Sequence, residues 1–335
     1  MQTTIDALMT GQGISSEQSQ QFFQAVLKGE VEPALLAGVL VALKLKGETI
    51  EEITGAASAI RQAAADFPKR EYPVTDIVGT GGDGHHTINI STTAAIVAAS
   101  MGVKVAKHGN RSVSSKSGSS DLLAASGVNL TMSAETAKDC LDKTNLAFLF
   151  APHYHGGFKH AGPVRAALKT RTIFNIMGPL VNPASPEYMV LGVYTPDYLE
   201  PIAQTLKALG TQRAMVVHGA GLDEVAIHGT TEVIELNNGD ISRYQLNPAD
   251  FGVDEASLED IKGGDPQQNL EISKAILTGT ATAAQQNAVA VNAACALYIN
   301  GLEPDLKTAT AKVLAHLKSG QALKTLEAFA ECSHG

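Results

Sequence analysis

The chain has 335 residues, 44% of them hydrophobic and 18% charged, enough for about two soluble domains with sizeable cores. It carries a net charge of −9, has no tryptophan and only 5% aromatic residues, so neither a broad nucleic-acid footprint nor a stacking platform for single strands is expected. The widely spaced Cys140, Cys295 and Cys332 read as reduced thiols of a cytoplasmic protein, not a disulfide frame or a zinc site, and neither a secretory leader nor a membrane span is expected.

The first seventy or so residues read as wholly helical. Ser15 or Ser16 can cap a helix running to about Lys28. Pro33 suits the first turn of the next, which carries Leu35, Leu36, Val39, Leu40 and Leu43 at helical spacing. Gly47 ends it, and Thr49 starts a third helix whose first turn holds Glu51 and Glu52, where the helix dipole favours anions. Asp66 to Pro73, with two prolines and mixed charge, reads as a domain boundary or hinge.

From Val74 the pattern changes to short β-branched runs alternating with helical stretches. Val74–Val78, Val103–Lys107, Ala147–Phe150, Tyr188–Val193 and Ala214–His218 are the expected strands. Helices are expected at Ser91–Met101, Ser119–Ser126, Ala134–Thr144, His160–Leu168 and Asp197–Leu209. This alternation implies an α/β domain with a mostly parallel sheet and helices on both faces. Thr231–Leu236 and Ile241–Leu246 flank Asn238-Gly239, a strong hairpin signal, and the chain ends in helices.

The most informative segment is Asp76 to Asp121, which holds two glycine-rich turns and many serines and threonines. Between Gly84 and Ser120 it has no acidic residue but four basic ones, Lys104, Lys107, Arg111 and Lys116; with −9 overall, the remainder carries −13. Backbone N–H groups and cations converging in this way suit phosphate oxygens. Gly79-Thr80-Gly81-Gly82-Asp83-Gly84 formally fits G-x-G-x-x-G after an apolar strand. A dinucleotide site would need a helix at once and an acid about twenty residues on, whereas the next acid after Asp83 is Asp121. Ser91 or Thr92 is a natural N-cap, and a helix start is also an anion site. Lys107 to Ser119 leaves a strand end, where open α/β sheets bind ligands; the alternative is a flexible surface connection.

Three further features bear on chemistry. Asp223-Glu224, after a strand and a Gly-Ala-Gly turn, suits magnesium held by carboxylates plus substrate phosphates, unless the pair is merely solvated. Arg165, on a helical stretch, can take a carboxylate with its fork or form a surface ion pair. His153 and His155 lack further close metal ligands and read as loop residues.

Taken in order and spacing over essentially the whole chain, these segments resemble the anthranilate phosphoribosyltransferase family. The resemblance rests on the helical start, GTGGD at Gly79–Asp83, NIST at Asn89–Thr92, KHGNRSVSSKSGSSD at Lys107–Asp121, GPLVNP at Gly178–Pro183, and Asp223-Glu224, with no departure at a motif position. It implies a small helical domain, residues 1–72 with a contribution from about 160–185, and a large α/β domain, residues 73–335, akin in fold to the pyrimidine nucleoside phosphorylases. It implies transfer of the phosphoribosyl group of 5-phosphoribosyl 1-pyrophosphate to the amine of anthranilate, with Mg2+ and a homodimer formed through the small domains.

By the same resemblance the diphosphate donor is held by Gly79, Gly82, Asp83, Thr87, Asn89, Ile90, Ser91 and Thr92. Lys107, His108, Gly109, Asn110, Arg111, Ser112, Val113, Ser114, Ser115 and Ser119 complete that set. Anthranilate meets Gly79, His108, Asn110, Arg165 and Gly178, with Arg165 facing its carboxylate. Ser91, Asp223 and Glu224 hold the metal, and Lys107, His108, Asn110 and Arg165 are the expected catalytic residues. His85 and His86 have no assigned role. The alternatives are a pyrimidine nucleoside phosphorylase and a non-catalytic nucleic-acid-binding relative.

Overall fold

The computed structural model of the chain describes residues 2–111 and 117–335. Four helices come first: α1 (Gln2–Met9), α2 (Ser16–Lys28), α3 (Pro33–Lys46) and α4 (Ile50–Ala63). Their limits follow local chemistry. The Ser15 side chain accepts from Gln18 N–H in a full capping box, Pro33 opens α3, and Thr49 caps α4 in a box with Glu52. Glu52 is fully buried and pairs with Lys46 at 2.9 Å, so the cap also pins the α3–α4 corner. Helix α1 has no counterpart among the sequence expectations beyond the general helical reading.

An alternating stretch follows: β1 (Thr75–Gly79), α5 (Ile90–Ser100), β2 (Val105–Gly109), α6 (Ser119–Ala125), α7 (Ala134–Thr144) and β3 (Leu146–Phe150). Then come α8 (Ala151–Tyr154), α9 (Gly162–Leu168), α10 (Phe174–Leu180), β4 (Tyr188–Gly192), α11 (Leu199–Ala208) and β5 (Arg213–Gly219). The hairpin β6 (Thr231–Asn237) and β7 (Asp240–Leu246) turns at Asn238-Gly239, both with positive φ as a two-residue primed turn requires. Helices α12 (Pro266–Leu277), α13 (Ala283–Ile299), α14 (Leu306–Leu317) and α15 (Gln321–Cys332) close the chain.

The strands form one sheet in the order β3-β2-β1-β4-β5-β6-β7; β1 to β5 are parallel, and β6 and β7 antiparallel. The chain builds outward from β1 through β2 to β3, then returns to the other side of β1 with β4. The C-terminal end of β1 and β4 is thus the switch point of the sheet, where this topology leaves a crevice. One face, with Ile77, Val190, Met215 and Val233, packs on the buried, alanine-rich α5 and α13. The opposite face, with Met189, Leu191, Val216 and Ile234, packs on α11 and shares a core with the N-terminal helices and with Val164, Ile173, Phe174 and Met177. The connection after α4 is anchored, since Arg70 pairs with Glu187 at 2.9 Å and donates to the Ala184 carbonyl at 2.8 Å.

Helix α5 corrects one expectation. Neither Ser91 nor Thr92 is its N-cap; Asn89 occupies that place and makes no side-chain cap bond. The Asn89 amide is used elsewhere, accepting from Asn269 Nδ2 at 2.8 Å and donating to the Ser117 carbonyl at 3.2 Å. An acid from far along the chain takes over at the helix start, as the Ser91 N–H donates to Glu224 Oε1 at 3.3 Å.

Candidate active site

Strands β1, β4 and β5 end in Gly79, Gly192 and Gly219, and the segment carrying Asp223 and Glu224 lies directly across those ends. A Cβ on Gly192 would overlap the Asp223 carbonyl, and one on Gly79 would overlap the Asp223 carboxylate, so both positions demand glycine for close approach. Asp223 Oδ2 accepts from the Gly81 N–H at 2.5 Å, tying the glycine turn after β1 to the segment after β5. Gly81, Gly82 and Gly84 all have positive φ, so the turn curls as few other residues allow. Its Asp83 faces Asp223, and the Asp83 carboxylate accepts from His85 N–H at 3.2 Å.

These carboxylates are held under electrostatic stress. Burial, then the charge of Asp83, raises the Asp223 carboxyl well above its usual range; burial, then Asp223, does the same to Glu224. The compensating cation is Lys107 on β2, buried, with its Nζ donating to the Ile77 carbonyl at 2.5 Å. Burial lowers the Lys107 ammonium, while Asp76, Glu224 and Asp223 act to keep it charged. Asp76, fully buried on β1, is pushed up to about 6 by desolvation; its Oδ2 accepts from Asn182 Nδ2 at 2.8 Å and from His108 N–H at 3.4 Å. Asn182 also donates to the Ala106 carbonyl at 2.8 Å, which explains the Asn of GPLVNP as a clamp between β1 and β2.

A second group gathers beyond β2. His108 Nδ1 lies 3.0 Å from the Gly178 carbonyl; a carbonyl only accepts, so Nδ1 carries the proton and the buried Nε2, without a partner among the described residues, presents a lone pair. Burial, and next the neighbouring His155, pushes His108 down to about 3, so this tautomer is neutral at ordinary pH. The rings of His108, His155, Phe158 and Phe174 follow one another edge to face at 5.1, 5.6 and 5.6 Å. Arg165, on α9, lies 5.3 Å over the Phe174 ring, half-buried, its guanidinium lowered by desolvation and without a carboxylate partner among the described residues. The surface ion pair open to it in the sequence is not formed. An aromatic wall with a free guanidinium and a neutral acceptor nitrogen suits a flat, carboxylated ring bearing N–H.

Two family models match: the helical bundle domain of the glycosyl transferase family at residues 2–64, and its α/β domain at residues 71–323. Anthranilate phosphoribosyltransferases of Shewanella baltica and Shewanella putrefaciens are each 60% identical to the chain over 99% of its length, covering 95% and 97% of those proteins. The chain belongs to the anthranilate phosphoribosyltransferase family. Among solved structures, anthranilate phosphoribosyltransferase from Thermus thermophilus superposes with a TM-score of 0.94 at 41% identity, covering 99% of both chains. The Saccharomyces cerevisiae enzyme in complex with phosphoribosyl pyrophosphate and Mg superposes at 0.89 with 28% identity, covering 99% of this chain and 97% of that one. The phosphorylase and nucleic-acid readings of the sequence gain no support from these matches.

For an anthranilate phosphoribosyltransferase the expected residues fall in three places. Gly79, Gly82, Asp83, Ser91, Lys107, Asp223 and Glu224 converge at the strand ends. His108 and Gly178 touch each other beside the aromatic wall that carries Arg165. Asn110, Arg111 and Ser119 flank residues 112–116 in the chain, and the Asn110 carbonyl accepts from Ser119 Oγ at 3.3 Å. Ser112, Val113, Ser114 and Ser115 lie outside the described residues. Ile90 and Thr92 are buried, so Ile90 offers a ligand only its backbone, and Thr87 bridges Lys262 as extended chain. Sequence reasoning missed Asp76, Asn182 and Asn269 as supports. An acid inside the run DIVG was a visible signal for Asp76, and Asn182 lies in the GPLVNP segment; Asn269 had none.

Proposed function

We propose that this chain transfers the phosphoribosyl group of 5-phosphoribosyl 1-pyrophosphate to the amine of anthranilate, giving N-(5-phosphoribosyl)anthranilate and pyrophosphate, a step of tryptophan biosynthesis. The observation that carries the reading is the convergence of the glycine turn, Lys107 and the Asp223-Glu224 pair on the switch point of the sheet, beside a neutral aromatic pocket holding Arg165. The turn and the residues 107–119 would hold the diphosphate, with Lys107 offering charge to its oxygens. Arg165 would take the anthranilate carboxylate by its fork, and His108 Nε2 would accept an N–H of the amine, aligning the nitrogen lone pair with C1 of the ribose.

The amine forms a bond to C1 as the bond from C1 to the pyrophosphate oxygen breaks, and the amine then loses a proton. A neutral aromatic amine is already nucleophilic, so positioning supplies most of the effect, about 7–11 kcal/mol for a well-oriented pair. Among the described residues no three His, Cys, Asp or Glu side chains gather as a self-sufficient metal cage. Two crowded carboxylates, Asp223 buried and Glu224 half-buried, whose compensating cation Lys107 is shared with Asp76, do fit a hard divalent cation shared with substrate phosphates. Ser91, Asp223 and Glu224 are the residues that would hold Mg2+, which when bound would neutralise diphosphate charge and improve the leaving group.

We read residues 1–72 with about 160–185 as the small domain and 73–335 as the large one, supported by the helical core that Val164, Ile173 and Phe174 join. A homodimer through the small domain is supported by the apolar stripe on α3, where Leu35, Ala37, Val41 and Ala42 are only half-buried and Leu45 is 81% exposed. Sedimentation of Leu45→Glu should show a shift toward monomer relative to wild type; an unchanged mass would remove this stripe from the interface. No helix among the described residues is long and apolar enough to cross a membrane. A cytoplasmic location is our proposal, supported by the free thiols of Cys140, Cys295 and Cys332.

The decisive experiment mixes the protein with anthranilate, phosphoribosyl pyrophosphate and Mg2+ and follows anthranilate fluorescence. Loss of signal is expected, and well-folded protein that leaves it unchanged would sink the reading. Arg165→Ala should raise the anthranilate KM by roughly tenfold to a hundredfold, the scale of a lost charged hydrogen bond, while the donor KM moves little. Equal losses for both substrates would contradict the role given to Arg165.

A further inference from the structure

Arg171 lies in the connection between α9 and α10, outside every motif read from the sequence. Its side chain reaches across to the glycine turn, where Nη2 donates to the Gly82 carbonyl. The guanidinium carbon also lies over the Tyr194 ring, 4.1 Å from its centroid. Tyr194 is itself fixed to the turn, since its N–H donates to Thr80 Oγ1 at 3.1 Å. Its ring meets Tyr198 edge-on at 5.6 Å, and the Tyr198 hydroxyl donates to Glu48 Oε2 at 2.9 Å in the corner between α3 and α4. A line of contacts thus runs from the N-terminal helices to the glycine turn.

We infer that Arg171 is a positioning residue for the diphosphate donor, acting through the peptide that joins Gly82 to Asp83. That peptide is planar and trans, so its carbonyl and the Asp83 N–H point in opposite directions. Drawing the carbonyl toward Arg171 aims the N–H away from it, and fixes the orientation in a turn whose glycines otherwise allow the peptide to rotate. The Tyr194 ring holds the guanidinium in place by stacking, a role that a lysine ammonium fills poorly. The inference rests on the reading that this turn binds the diphosphate.

Because Arg171 is exposed, removing it opens no core and the variant is expected to fold. The test measures titration calorimetry of phosphoribosyl pyrophosphate with Mg2+, steady-state KM for both substrates, and thermal melting, for wild type, Arg171→Ala, Arg171→Lys, Tyr194→Leu and the Arg171→Ala/Tyr194→Leu double variant. Arg171→Ala should weaken donor affinity by about tenfold, with anthranilate KM and melting temperature unchanged, as expected for one lost charged hydrogen bond. Arg171→Lys should recover only part of the loss. The double variant should bind donor no worse than Arg171→Ala, because both changes break one coupled contact. Unchanged donor affinity, full recovery by Lys, additive losses, or equal losses for both substrates with a lower melting temperature would each overturn the inference. Wild type that gives no donor-binding heat would instead overturn the functional reading beneath it.

Discussion

The double variant Asp223→Asn/Glu224→Gln is expected to lose a hundredfold or more in kcat/KM, roughly the several kcal/mol that metal-assisted charge stabilisation supplies, and to lose its response to Mg2+ concentration. Steady-state assays across a magnesium series check this; an unchanged metal dependence would remove both residues from the metal site. The same variant should behave differently in melting experiments. Burial raises both folded carboxyls above their unfolded values, helped by the charge of Asp83 at Asp223 and of Asp223 at Glu224. Between those values the native state holds more protons than the unfolded chain, so stability falls as pH rises through the window. In metal-free buffer the variant should therefore melt above wild type at pH 8, with the advantage shrinking toward pH 5. Added Mg2+ should raise the wild-type melting point more at pH 8 than at pH 5 and leave the variant unmoved.

Gly192→Ala is the second large effect. Its new Cβ would fall on the Asp223 carbonyl, a backbone atom that cannot rotate away, so the whole segment bearing both carboxylates must shift. Overpacking of this kind costs about 1–3 kcal/mol. The displacement also breaks the Gly81 bond to Asp223 and the Glu224 contact at the start of α5, so turnover should fall by far more than stability does. Gly79→Ala meets chiefly the movable Asp223 carboxylate and comes less close to the Asp223 carbonyl than Gly192→Ala does, and should be the milder of the two. Melting curves and kcat/KM for both variants decide it. Gly192→Ala with wild-type activity would show that the segment does not need its position across the strand ends.

Strands β1, β2, β4 and β5 were legible because each carries apolar residues into a closing glycine, and the helix starts because Ser15, Pro33 and Thr49 carry their own chemistry. The donor side was legible as composition: glycines, hydroxyls and cations without acids between Gly84 and Ser120. The cap of α5 was not. Asn89, Ser91 and Thr92 are all plausible caps locally, and the outcome depends on Asn269 and Glu224, which no local pattern connects to them. The acceptor side was readable only by resemblance, since Arg165, His108 and Phe174 come from three separate elements and meet only after folding. Arg171 carried no signal, because its partners are a backbone carbonyl and a tyrosine ring brought to it by the tertiary fold.

The bonds from Gly81 to Asp223 and from Ser91 to Glu224 join residues 142 and 133 positions apart. During synthesis, a chain that has already exposed its glycine turn and basic loop still lacks the acids that anchor the turn and complete α5. Contacts of such long range close large loops and can form only once the segment after β5 has been made. On the proposed function, donor capture is thereby expected only of molecules that have finished their sheet, and a half-made chain is expected not to sequester a costly activated sugar.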